Sequence, residues 1–485
     1  MTRTATTVRN DILVGGDWQR PATREAIAVI NPSDGQVIGE IARGGAADID
    51  AAVTAARAAL EGAWGKLPAV ERGRLLMKLS RAVAEHHDAL SLAEAADTGK
   101  PLRQARADIT ALARYFEFYA GACDKVHGET LPYLDGYTVL TLREPYGVTG
   151  HIIPWNYPAQ IFGRSVGAAL AMGNACVVKP AEDASLSTLM VGQLALDVGF
   201  PPGALNIVPG YGEEAGAALA GHPGIDHISF TGSPEVGTLV QVAAAKHHRP
   251  VTLELGGKSP QLVFADADQA AALPFIVGGI VQNAGQTCSA GSRVLVHEQI
   301  YDAFVDAVAD RFRALRVGAS DMDLDVGPVI NAAQKTRVTS YLDLARRDGL
   351  KFLGEGSIAP NVPRDGFYVT PTVLGDVPAD HRLAQEEIFG PVLVAMRFRD
   401  EEEALRLANS TPYGLVAGVW TQDGGRQLRL AKAIRTGQVF INNFGAGGGV
   451  ELPFGGVKRS GHGREKGFEA LFHFSTLKTI AIKHG

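Results

Sequence analysis

Cys288 stands in the small-residue stretch Gly285-Gln286-Thr287-Cys288-Ser289, and Glu254 closes the apolar run Val251 to Leu253 just ahead of Gly256-Gly257-Lys258. A thiolate attacks a carbonyl carbon, and a carboxylate draws a proton from water. Those are the two groups that a covalent oxidation of an aldehyde needs. Alone, each residue carries little. A lone cysteine is commonly a small buried hydrophobe, which is how Cys123 and Cys176 read. A lone glutamate is commonly a solvated charge. The setting separates this pair. Gly285 on one side and Ser289-Ala290-Gly291 on the other let backbone approach a ligand closely. Glu254 ends a strand, where α/β proteins place their sites.

The elements that must hold the pair are readable. From Gly147 onward apolar runs alternate with helical stretches: Val148 to Ile153, Ala175 to Val178, Leu205 to Val208, Ile228 to Phe230 and Val251 to Leu253. Five such units predict a parallel sheet with right-handed crossovers, a nucleotide-binding architecture. No GxGxxG follows the first run, so cofactor binding needs other support. One stretch is Phe230-Thr231-Gly232-Ser233-Pro234-Glu235-Val236-Gly237, a Gly-Ser turn leading into a helix that starts with proline. Its N-terminus offers N–H groups and a hydroxyl to an anion, although an ordinary capped helix reads the same way. The other is Lys179 with Glu182, placed to bond ribose hydroxyls. A carboxylate there repels a 2′-phosphate and favours NAD over NADP. A surface ion pair is the competing reading.

Upstream, residues 10 to 45 read as short strands around turns. Three amphipathic helices follow: Ile49, Val53, Ala56 and Leu60, with Asp48 as N-cap; Leu76, Leu79 and Val83; and Leu102 to Phe116, beginning after Gly99-Lys100-Pro101. Thr138 to Thr141 favour strand, and a late candidate, Thr476 to Ile482, is expected to pair with this arm of residues 138 to 146.

Composition sets the limits. A chain of 485 residues exceeds one ordinary core, so two or three domains are expected. A formal charge of -6 without a basic face argues against nucleic acid. Three cysteines make no disulfide framework and fit a reducing compartment, so a cytoplasmic location is expected. The stretch Met1 to Asn10 lacks an apolar core, and no run reaches a membrane span. His247-His248 read as a solvated loop, and no metal site is expected.

Seven stretches now stand in a fixed order: Pro154-Trp155-Asn156-Tyr157-Pro158, Lys179 to Glu182, Phe230 to Gly237, Glu254 to Lys258, Gly285 to Ser289, Glu387-Ile388-Phe389-Gly390-Pro391-Val392 and Pro453-Phe454-Gly455-Gly456. Over essentially its whole length the sequence resembles the NAD(P)-dependent aldehyde dehydrogenase superfamily, of the hydrolytic, non-acylating type. The resemblance implies an α/β fold of two parallel-sheet domains with a small β oligomerisation arm. The cofactor-binding domain would take residues 1–123 and 147–254, the catalytic domain 255–470, and the arm 124–146 and 471–485. It implies a homodimer or homotetramer.

By the same resemblance Cys288 is the nucleophile, Glu254 the base and Asn156 an oxyanion donor. Ile153, Pro154, Trp155, Lys179, Glu182, Phe230, Gly232, Ser233, Leu255, Gly256, Glu387 and Phe389 would hold NAD. Tyr157, Arg164, Thr287, Ser289 and Phe444 would face the aldehyde. Many relatives have lysine where Ser165 stands, which removes a lysine-assisted proton relay. Arg164 resembles the arginine that meets the carboxylate of succinate semialdehyde in some relatives; pairing with a protein carboxylate is the equal alternative. The glycine-rich stretch Phe444 to Val450 implies an open mouth that admits a bulky or aromatic aldehyde. Two other functions compete: a CoA-acylating relative, disfavoured by Glu254, and a non-enzymatic dinucleotide-binding or structural protein, disfavoured by the intact Cys288, Glu254 and Asn156.

Overall fold

The computed structural model describes residues 10–445 and 449–485. Among them two large sheets form. The first runs Asp17–Gln19, Ile12–Val14, Leu205–Ile207, Ala175–Lys179, Val148–Ile152, His227–Thr231, Val251–Glu254, Gly461–His462. Its five central strands are parallel, and they are the five apolar runs of the sequence, with ends displaced by a residue or so. Ala175–Lys179 is buried along its whole length. Helices cover both faces of such a sheet, which is why its strands read as continuous apolar runs and not as alternation.

The second sheet runs Lys351–Glu355, Thr372–Gly375, Val392–Phe398, Arg293–His297, Pro260–Val263, Val416–Trp420, Gln438–Ile441. All its pairings are parallel except the one at the Lys351–Glu355 edge. Each sheet has its own apolar core. One core spans Ile12 to Leu255 and takes in Val450, Ala470, Leu471 and Phe474. The other spans Leu262 to Ile434. The chain crosses between them in the short segment from Leu255 to Ser259, so Glu254 is the last residue of the last parallel strand of the first sheet, Val251–Glu254. The arm is present as expected: Ser475–Lys483 pairs antiparallel with Tyr137–Pro145, placing Thr476 opposite Glu144 and Ile482 opposite Thr138.

The helix Ala46–Glu61 corrects one expectation. Gly45 is its N-cap, and Asp48 lies one turn inside. The Asp48 carboxylate reaches back to accept the N–H of Gly45 at 2.9 Å and that of Ala22 at 2.8 Å. It therefore satisfies an N-terminal donor from the third helical position and ties the helix to the first strands. The helix His87–Thr98 had no counterpart in the sequence reading.

The turn after that helix carries a buried cation. Lys100 Nζ donates to Glu94 at 3.2 Å, to Asp108 at 2.5 Å and to the main-chain carbonyl of Asn156 at 3.1 Å. Burial would lower the ammonium's pKa, but Asp108 and Glu94 outweigh it and hold it above its ordinary value. Replacing Lys100 by Met leaves two buried carboxylates without their cation, at a cost of about 3–5 kcal/mol. Burial already raises the Glu94 pKa. A folded pKa above the unfolded one means stability falls as pH rises. The Lys100→Met loss is therefore expected to be greater at alkaline than at mildly acid pH, as urea midpoints at the two pH values will show.

Candidate active site

Glu254 is 1% exposed. Its main-chain carbonyl accepts the N–H of Gly232 at 3.0 Å, yet neither carboxylate oxygen has a hydrogen-bond partner among the described residues. Burial raises its pKa well above the carboxylate range, with Arg164 opposing. The two glycines that follow are there for close approach. A Cβ on Gly256 would lie 2.1 Å from a Glu387 oxygen, and one on Gly257 would lie 2.5 Å from the Cys288 carbonyl. Only glycine lets the strand exit pass both.

Cys288 reaches this point through an unusual turn. Asn283, Ala284 and Gly285 all have positive φ, at 49°, 53° and 73°. Left-handed backbone at non-glycine residues costs about 1–2 kcal/mol each and persists where surroundings enforce it. The enforcement is visible. Asn283 Nδ2 donates to the Asn156 carbonyl at 2.9 Å. Asn156 Nδ2 donates to the Gln286 carbonyl at 2.9 Å. The hydroxyls of Tyr157 and Thr287 share a bond of 2.8 Å. Gln286 accepts the N–H of Ile330 at 2.9 Å. Two sequence motifs far apart in the chain are thus stitched into one loop pair.

The thiol is half-buried. Burial pushes its pKa up to about 12, Arg164 opposes, and Glu254 and Glu387 add to the rise. Cys288 and Asn156 are shared by the linings of two cavities, of about 180 Å³ and about 310 Å³. Glu254 is on neither lining, though its charge acts on the thiol.

The larger cavity collects Pro154, Trp155, Gly232, Ser233, Gly256, Glu387 and Phe389. Glu387 accepts the Gly257 N–H at 2.9 Å, and burial raises its pKa to about 7. Phe389, at φ 60°, meets the Trp155 ring edge to face at 5.4 Å. Ser233 caps the helix Pro234–Ala245 by accepting from Val236 N–H at 3.3 Å. Ile153, Phe230 and Leu255 have their side chains in the core instead. Lys179 and Glu182 form an ion pair at 2.7 Å at the end of their strand, apart from this cavity's lining. Sequence reasoning missed Gln334 and Arg337. From the helix Ala332–Arg347 they hold the Glu387 turn, donating to the carbonyls of Phe389 at 2.6 Å and Ile388 at 3.1 Å. No motif marks them; only the packing of the second sheet brings that helix here.

The smaller cavity collects Tyr157, Arg164, Thr287, Ser289 and Phe444. Arg164 proves to be ion-paired: its Nε lies against Glu465, both groups buried, without hydrogen-bond alignment between them. The Ser165 hydroxyl meets His151 Nδ1 at 2.6 Å and donates to Ser229 at 3.0 Å, and Ser229 donates to Glu465 at 2.7 Å. Glu465 and the lining residues Gln160, Phe440, Phe454 and Lys466 were also missed. Of the glycine-rich stretch, Ala446, Gly447 and Gly448 lie outside the described residues. Among the described residues no group of three or more His, Cys, Asp or Glu is arranged to hold a metal ion, and no helix is long and apolar enough to cross a membrane.

Two α/β sheets thus flank a pair of cavities that share Cys288 and Asn156 on their linings. The sequence profile of the Aldehyde dehydrogenase family matches residues 18–480, and the chain belongs to that family. It is 42% identical over 477 residues to retinal dehydrogenase 2 of Homo sapiens, covering 97% of this chain and 91% of that protein. The crystal structure of a provisionally assigned aldehyde dehydrogenase from Burkholderia cenocepacia superposes with TM-score 0.97 at 66% identity, covering 98% of this chain and 100% of that one. The NAD+ complex of an aldehyde dehydrogenase from Bacillus cereus gives TM-score 0.96 at 38% identity, over 99% and 98%. The reaction class is oxidation of an aldehyde with NAD as acceptor.

Proposed function

We propose that this chain converts an aldehyde to its carboxylic acid through a thioester on Cys288, with Glu254 activating water and NAD as the oxidant. The observation that carries this reading is the sharing of Cys288 and Asn156 between the two cavities. A carbonyl carbon at Sγ then lies within reach of both.

The larger cavity suits a nicotinamide nucleotide. It has a glycine floor at Gly256, a capped helix N-terminus at Ser233, a carboxylate at Glu387 for sugar hydroxyls, and aromatic faces at Trp155 and Phe389. Lys179 and Glu182 would hold the second ribose, and Glu182 disfavours a 2′-phosphate. NAD, when bound, supplies a hydride acceptor.

The protein's own groups do the rest. Cys288 Sγ gives its proton to Glu254 and attacks the carbonyl carbon. The oxygen takes up negative charge, for which Asn156 Nδ2 and the Cys288 N–H are the donors. Each such donor contributes about 3 kcal/mol in a transition state. Loss of hydride leaves a thioester. Glu254 first passes the thiol proton to solvent and, again a carboxylate, takes a proton from water; the hydroxide adds to the thioester carbon, the C–S bond breaks to release the acid, and Glu254 returns its proton to the Cys288 thiolate.

The substrate's body is read from the walls. Tyr157, Phe440, Phe444 and Phe454 surround the smaller cavity, which supports an aromatic or conjugated aldehyde. Arg164 no longer carries the case for a small semialdehyde such as succinate semialdehyde, because Glu465 already answers its charge. The domain limits given above, a cytoplasmic location and a homodimer or homotetramer belong to the same proposal. Val236, Leu239 and Val242 support the last, being 45%, 68% and 55% exposed along one stripe of the helix Pro234–Ala245.

An aldehyde panel with NAD, NADP and added CoA tests the reading. NADH and free acid are expected, with NADP at least about tenfold poorer and no dependence on CoA. Absence of reduced nucleotide with every aliphatic, aromatic and carboxylated aldehyde would remove the proposal.

A further inference from the structure

Two glutamines on the wall of the smaller cavity have no part in the reaction above. Gln160 lies in the first turn of the helix Pro158–Met172. Tyr157, Gln160, Ile161 and Arg164 follow at i, i+3, i+4 and i+7, one face of that helix, and all four line the cavity. Gln438 opens the strand Gln438–Ile441. Phe440 comes two residues later, so both side chains leave the same face of the sheet, and both line the cavity.

Each amide is held by its nitrogen from outside the cavity. Gln160 Nε2 donates at 2.6 Å to Asp108, a buried carboxylate that also takes the Lys100 ammonium. Gln438 Nε2 donates to the main-chain carbonyl of Pro453 at 2.8 Å. Both partners only accept, so neither amide can turn round without setting oxygen against oxygen. Asp108 and Pro453 are off the cavity lining. The nitrogens therefore point away from the cavity, and the amide oxygens toward it. Neither Oε1 has a hydrogen-bond partner among the described residues, and neither is enclosed.

The cavity thus has two kinds of polar group. Asn156 Nδ2 and the Cys288 N–H are donors, set for the oxygen of the reacting carbonyl. Gln160 and Gln438 present acceptors, among the aromatic walls Phe440, Phe444 and Phe454. Acceptors fixed in this way reward a hydroxyl on the substrate and give an ether or a bare ring nothing. We propose that Gln160 and Gln438 select aldehydes that carry a free hydroxyl on an aromatic or conjugated body. This rests on the aldehyde-oxidising reading and names its substrate class. It replaces the carboxylate once sought through Arg164, whose charge Glu465 answers, by a neutral hydrogen-bond donor.

The test measures kcat/KM for 3- and 4-hydroxybenzaldehyde, each against its methoxy analogue, using the full chain with NAD. Mildly acid pH keeps the ring hydroxyls protonated, and a methoxy group accepts but cannot donate. The parent is expected to favour the hydroxy member at one or both ring positions by about 3- to 10-fold, the range of one neutral hydrogen bond. Gln160→Met and Gln438→Met are each expected to lower that ratio toward one, through KM, at the ring position its oxygen serves. Comparing ratios between enzymes cancels the substituent's own effect on the carbonyl. A parent with no preference at either position overturns the proposal before any variant is made. So do two variants that both keep the parent's ratios. A preference that emerges only as the hydroxyl ionises is recognition of charge and overturns it too. Each of these results leaves aldehyde oxidation standing so long as NADH forms. If no aldehyde yields NADH, the underlying reading falls and this one with it.

Discussion

Cys288→Ser is expected to bind NAD like its parent and to form NADH at least about 10⁴-fold more slowly, the scale on which nucleophile knockouts fall. The substitution is nearly isosteric, so the loop stitched by Asn156, Tyr157 and Asn283 survives. What changes is acidity and nucleophilicity. The thiol already holds its proton hard, pushed up to about 12 by burial. A serine hydroxyl is a far weaker acid in the same place. Glu254 is a buried carboxylate, and among the described residues neither cavity lining carries a histidine to help. Burial makes Cys123 and Cys176 poor substitutes; both thiols are likewise pushed up to about 12. Acidity therefore does not separate the three thiols, but exposure does, since Cys123 and Cys176 are buried and Cys288 is half-buried on a cavity wall, so a thiol alkylating agent should mark Cys288 alone. Nucleotide titration establishes that the variant is folded, and NADH absorbance gives its rate. Turnover within tenfold of the parent would rule out the covalent route.

How much of this was legible depended on distance along the chain. The strand before Glu254 is an apolar run with a glycine pair behind it, and both features are local. The glycines are demanded by contacts that any side chain would violate, so they stand in the sequence as a mark of the site. The five parallel strands are legible for the same reason: burial on both faces leaves no polar alternation. Asp48 was placed one turn early because an acidic residue at the third helical position and one at the cap look alike in a string. Lys100, Gln334, Arg337, Glu465 and Lys466 were not legible as site residues. Gln334, Arg337 and Glu465 find the partners of their side chains about fifty to several hundred positions away, Lys100 has two carboxylates within eight positions but reaches the site only through the Asn156 carbonyl, and nothing in their neighbours distinguishes them from solvated polar residues. Arg164 was legible as a residue of interest, with pairing to a protein carboxylate as one of two equal readings, but its partner was not legible, because Glu465 enters from the chain's last segment. Family resemblance supplied Glu387 and Phe389, which periodicity would have left in the core.

Glu254→Gln separates the two halves of the reaction. If the carboxylate activates the hydrolytic water, the variant forms about one NADH per active site and then stalls with the acyl group on Cys288. Steady turnover is expected to fall about 10²- to 10⁴-fold, the usual worth of a general base. Hydroxylamine should release the trapped acyl group and restart NADH formation, and intact mass should show the adduct. The size of the burst is diagnostic, and so is its pH dependence. In the parent, the Glu254 pKa is raised by burial, so the base form gains population as pH rises, and turnover should climb across that interval. In the variant no carboxylate remains to take the thiol proton either. The first NADH then depends on Cys288 losing its proton unaided, and the burst should quicken with pH without levelling, because its thiol lies near 12. A burst as fast as the parent's at neutral pH would confine Glu254 to the water step. Steady turnover equal to the parent's would remove Glu254 from both steps, and with it the link between the end of the strand Val251–Glu254 and the thiol of Cys288.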